Sequence, residues 1–98
     1  MQVYSDDGQC FVDMEHDLTI NEIKLFHDEI SPLLTKDKEF ILHCVDLKNI
    51  DTAGIQILIS LKKYLDKEEK IFQITVGKKI KEFISLFKLD EYFKGAIV

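Results

Sequence analysis

The segment from Phe40 to Leu65 changes its hydrophobic period in the middle, and that change constrains the fold more than any other feature. FILHCVDL (Phe40–Leu47) is nearly all apolar, with β-branched or aromatic side chains at several positions. That is the pattern of a strand covered on at least one face. A short polar gap follows, and Asp51-Thr52-Ala53-Gly54 opens an apolar helix pattern running from about Ala53 to about Lys67. KIFQITV (Lys70–Val76) reads as a strand again, stopped by Gly77. Strand, helix and strand at these lengths imply a βαβ crossover and a sheet with helices packed on it.

The rest of the chain extends this unit. Residues 2–14 read as a hairpin turning at Asp7-Gly8, a pair suited to positive φ. Cys10, Val12 and Met14 would share one face of its second strand, with Phe11 on the other. LTINEIKLFHDEISPLLTK reads as a helix with Thr19 and Glu22 as a capping box and Leu18 and Ile23 as a hydrophobic staple. Ile20, Ile23, His27, Ile30 and Leu34 form its inner stripe, widened by Phe26 and Leu33. Pro32 should bend it or force a restart with Ser31 as the cap. KKIKEFISLFKL predicts a third helix, and YFKGAIV an additional edge strand. The expected fold class is α/β: one domain over residues 1–98, with a mixed β-sheet of four to five strands and three main helices.

Several function classes fall away on composition. A net charge of −5 with dispersed bases argues against nucleic acid, whose binding leans on phosphate neutralisation. No apolar run approaches the roughly 18–20 residues of a membrane span, so no direct membrane insertion is expected. MQVYSDDGQC lacks the basic and apolar regions of a secretory signal. Cys10 and Cys44 are too few for a disulfide scaffold and read as small hydrophobes in a reducing cytoplasm. His16, His27 and His43 match no compact metal-ligand spacing. Cys44 and His43, as strand neighbours, would point to opposite faces and cannot act as a nucleophile pair. Neither a catalytic group, a metal nor a cofactor is expected. Lys78, Lys79 and Lys81 open the third helix, where an anion or nucleotide site competes with a plain solvated basic turn.

The strand-to-helix junction holds the remaining candidates, and two readings stand side by side. In one, Asp51 or Thr52 only caps the helix, and small Ala53 and Gly54 let it approach the sheet. In the other, the helix start is a surface that a partner reads. At about 100° per residue, Gly54, Ile57, Leu58, Leu61, Tyr64 and Leu65 cluster toward the core. Ile55 and Ile59 then point away, beside Thr52, Gln56, Lys62 and Lys63, as a small outward docking patch, unless another element of the chain covers them.

VDLKNIDTAGIQIL, with its strand ending in Asp-Leu and its Asp-Thr-Ala-Gly helix start, resembles the core signature of STAS domains. EHDLTINEIKLF upstream and QITVGKKIKEFISLFKLDEYF downstream are similar to further blocks of that family, in the same order. The resemblance implies a non-enzymatic regulatory module binding a protein partner: an anti-sigma factor with kinase activity, a chemotaxis component or an ABC ATPase. It matches Asp51, Thr52 and Gly54 to the family's site, with Ala53 between them, and the wheel adds Ile55, Gln56 and Ile59. In the phosphoregulated antagonists the residue before the glycine is a serine; here it is Ala53, which leaves Thr52 as the candidate for phosphorylation. The DTAG form is similar to chemotaxis-associated STAS proteins and to the small accessory subunit of bacterial lipid-transport ABC complexes. A nucleotide- or anion-sensing domain is the other alternative. Nothing in the sequence fixes an oligomeric state.

Overall fold

Asp7 and Gly8 both take positive φ (50° and 81°), which closes a two-residue turn between β1 (Gln2–Asp6) and β2 (Gln9–Asp13). The computed structural model describes residues 2–14 and 17–97. Beyond β2 come α1 (Ile20–Ile30), a 3-10 turn (Ser31–Leu33), β3 (Glu39–Cys44), α2 (Thr52–Lys67), β4 (Ile71–Val76) and α3 (Lys78–Leu86). The four strands lie side by side in chain order, β1 antiparallel to β2 and the other pairs parallel. The fold is α/β with a four-stranded mixed sheet and three helices, as the change of hydrophobic period predicts.

Both crossovers, β2–α1–β3 and β3–α2–β4, step along the sheet in the same direction. Right-handed connections therefore place α1 and α2 on the same face. Alternation along the strands matches: Cys10, Val12, Phe40, Leu42, Cys44, Phe72 and Ile74 are buried toward the helices. Ile80 and Ile84 of α3 join the same core. On the opposite face lie Tyr4, Phe11, Ile41 and His43, with Tyr4 stacked on Phe11 at 5.2 Å.

Four local expectations change. Thr19 makes no side-chain cap bond, so the Thr19–Glu22 capping box does not form; the N–H of Ile20 is bound instead by Asp51 from across the fold. The inner stripe of α1 narrows to Phe26 and Ile30, with Ile20 68% exposed and His27 also exposed, because the helix rests on α2 with only part of its predicted face. Ser31 does not start a new helix: its hydroxyl donates back to the His27 carbonyl at 2.6 Å while the chain tightens into the 3-10 turn. The expected edge strand at the end of the chain reduces to one bridge, Ile97 beside Ile74. His16 lies outside the described residues.

Candidate functional site at the start of α2

Two carboxylates hold the junction in place. Asp17 Oδ1 accepts from the backbone N–H groups of Lys48 and Asn49 at 3.1 and 3.0 Å, and its Oδ2 accepts from Asn49 Nδ2 at 2.9 Å. The loop before α1 thereby grips the loop before α2. Asp51 returns the grip: Oδ1 accepts from Gly54 N at 3.1 Å and Oδ2 from Ile20 N at 2.8 Å. One side chain thus caps its own helix and supplies the partner that Thr19 does not. Between them Leu18 and Ile50 form a parallel bridge. These donors favour the charged carboxylates. The Asn49 side-chain amide and backbone N–H hold Asp17 below the usual carboxylate range, and Ile20 N–H does the same for Asp51, followed by Gly54 N–H.

Gly54 explains why a residue without a side chain sits here. A Cβ at this position would run into the Leu18 carbonyl oxygen, with Ile50 Cγ1 at 2.8 Å and Leu18 Cβ at 3.0 Å. The first turn of α2 lies directly on the Leu18–Ile50 bridge, and the main obstacle is backbone that cannot swing aside.

Of the residues singled out in the sequence, Thr52 and Gln56 are exposed, Ala53 and Asp51 are half-buried, and Gly54 is buried. Two differ from expectation. Ile55 is not on an outer patch: it is 4% exposed and belongs to the core. Ile59 is half-buried against that core. The helical wheel gave α2 one buried side, whereas α2 is covered on three. The sheet lies beneath it, and α1 flanks it where His27, Ile30 and Leu34 meet Ile57, Leu61 and Tyr64. The segment after α3 closes the remaining flank. Phe93 is fully buried there, the Tyr92 hydroxyl lies 3.5 Å from the Ile59 carbonyl oxygen, and Lys62 Nζ sits 5.1 Å above the Tyr92 ring.

The surface left open on α2 is a polar stripe: Thr52, Gln56, Ser60, Lys63, Asp66 and Lys67. Lys63 was placed on this face by the helical wheel; Ser60 and Lys67 were missed, although spacings of four and three residues from Thr52 mark one helix face. Asp17 was also missed; its signal is a carboxylate just before a buried apolar residue and a helix start.

Among the described residues no group of three or more His, Cys, Asp or Glu is placed to hold a metal ion. Cys10 and Cys44 are free and buried. Burial, with a smaller contribution from Asp13, pushes the Cys44 thiol up to about 12, so it stays protonated at neutral pH. No helix among the described residues is long and apolar enough to cross a membrane.

A search of curated proteins finds no match to the chain. STAS domains are generally non-enzymatic regulatory modules that commonly interact with protein partners. The STAS-domain family model matches residues 1–96, nearly the whole chain and every element described above, and the chain belongs to the STAS domain family.

Proposed function

We propose that this protein regulates a cytoplasmic protein partner by docking it on the start and outward stripe of α2, from Thr52 through Gln56 to Ser60 and Lys63, without catalysing a reaction. One observation carries the reading. At the family's signature turn, Asp51, Gly54 and Ile55 are engaged within the fold, while Thr52 presents its side chain to solvent from a turn fixed by two carboxylates. A hydroxyl held on a rigid turn is ready to hydrogen-bond a partner with little ordering cost. Ala53 contributes backbone and a half-buried methyl, and Ile59 supports the stripe from below. The buried, protonated thiols suit the reducing cytoplasm.

The absence of a hydroxyl at Ala53 favours a chemotaxis component or an ABC ATPase as partner over a kinase that phosphorylates its antagonist. Phosphorylation of Thr52 is the second reading, supported by its exposure. It would set a dianionic group beside the Asp51 carboxylate that caps the helix, and so act by repelling the docked partner.

Affinity capture from the native cell tests both readings. The wild-type chain should retain a partner that Thr52→Arg and Gln56→Arg lose while their melting temperatures stay near wild type. Retention of the same partner by both variants would place docking elsewhere. Recovery of a phosphate on Thr52, with Thr52→Glu losing the partner and Thr52→Val keeping it, would select the second reading.

A further inference from the structure

The two edges of the sheet are finished differently. At β4 the edge is covered at its middle, since Ile74 N donates to the Ala96 carbonyl at 2.8 Å and Ile97 bridges alongside. At β1 the edge is open: all five residues are exposed, and among the described residues none pairs with its outer side. Exposed edges in native proteins are usually blunted by lysine, proline, a bulge or a covering segment. QVYSD has neither lysine nor proline, and its register with β2 runs without a bulge.

The two-residue turn determines which backbone groups of β1 are free. Asp6 and Gln9 flank it as a hydrogen-bonded pair, and such pairs alternate along an antiparallel ladder. Tyr4 and Gln2 therefore also bond inward to β2, while Val3 and Ser5 point their N–H and C=O groups outward. Two outward residues spaced evenly about a central tyrosine form a self-complementary edge.

We infer that β1 is a homodimer interface, in which β1 pairs antiparallel with β1 of a second copy across a two-fold axis at Tyr4 and joins the sheets into one of eight strands. In this register Val3 lies opposite Ser5 of the second copy, Ser5 opposite its Val3, and Tyr4 opposite its Tyr4. It pairs all five residues of each strand, whereas a slip of two in either direction pairs three. Charge fits as well. Asp6, the only charge on the strand, faces the Gln2 amide of the second copy, and the two Asp6 carboxylates end at opposite ends of the ladder. Slipping the register so that Ser5 faces Ser5 would bring Asp6 opposite the axis-proximal Tyr4 and draw the carboxylates together. The register also extends an aromatic row: Phe11 stacks on Tyr4 at 5.2 Å and 19°, and Tyr4, 59% exposed in one copy, would continue onto its counterpart and the second Phe11. A closed two-fold contact of this kind uses up the open edge and stops at two chains. α2 connects β3 to β4, away from this edge, so each copy keeps its own outward stripe.

Sedimentation equilibrium of the full chain over a rising concentration series tests this, with mild oxidation of cysteine variants to fix the register. The wild type should approach twice the chain mass. Val3→Pro removes an outward N–H and no bond to β2, so it should stay at one chain mass with its circular dichroism spectrum kept. Tyr4→Lys, which sets two ammonium groups face to face at the axis, should do the same. Tyr4→Cys should cross-link two chains through a disulfide, since cross-axis Cβ atoms of a non-hydrogen-bonded pair come within bridging range. A wild type that holds one chain mass throughout would overturn the inference. So would dimers that persist in both Val3→Pro and Tyr4→Lys, or cross-linking by Asp6→Cys where Tyr4→Cys gives none.

Discussion

Thr52 and Gly54 stand two residues apart on one turn of α2, and opposite constraints act on them. Gly54 presses on the Leu18–Ile50 bridge with no room for a methyl group, while Thr52 faces water. The inner side of this turn is selected by packing and the outer side is free to be selected by something else. A short signature such as Asp-Thr-Ala-Gly is therefore a composite, with scaffold and surface interleaved at single-residue spacing.

The sharpest way to break this comparison is on the inner side. Gly54→Ala should destabilise the fold by about 4 kcal/mol, because the added carbon meets a backbone carbonyl and the whole helix start has to move. Chemical denaturation would measure it, and a near-neutral result would mean that the helix does not rest on the bridge. Ile55→Ala should cost about 3 kcal/mol through a core cavity, on the same measurement. An exposed Ile55 would have cost almost nothing, so this variant discriminates directly between the three-sided packing of α2 and a free outer patch.

The carboxylate pair comes next. Asp17 and Asp51 are held in the charged form, so their folded-state pKa values lie below the ordinary value of about 3.9. Their stabilisation is fully present above that pH and is lost as pH falls through the lowered values. The double variant Asp17→Asn, Asp51→Asn should melt lower than wild type at neutral pH and show a flatter loss of stability below about pH 4. Parallel acid-unfolding curves would refute the clamp. The smallest effect on stability belongs to the outer side: Thr52→Arg should lie within about 0.5 kcal/mol of wild type while partner capture is lost. Ile59→Asp is a poor companion for it, since Ile59 is half-buried and its loss would mix folding with docking.

The sequence carried the sheet and helices well because their signals are local. Alternation marks Cys10 and Val12, a three-to-four spacing marks Leu58, Leu61 and Leu65, and Asp7-Gly8 marks the turn. Which of the candidate residues face solvent was legible only in part, for a reason that also has to do with range. Ile59 lies where Tyr92 returns, more than thirty residues along the chain, and no periodicity within α2 encodes that. The Asp17–Asn49 and Asp51–Ile20 bonds likewise join residues about thirty apart. A capping box at Thr19 and Glu22 is a sound local inference, displaced by a donor–acceptor pairing that only the folded chain brings together.

The contact at Gly54 has a kinetic corollary. A turn wedged against a backbone carbonyl has no second position to visit, so a visiting protein meets the same contour on every collision. If a partner docks at Thr52 as proposed, its association would be limited by how often two bodies arrive correctly oriented, and free and bound forms of this turn should superimpose.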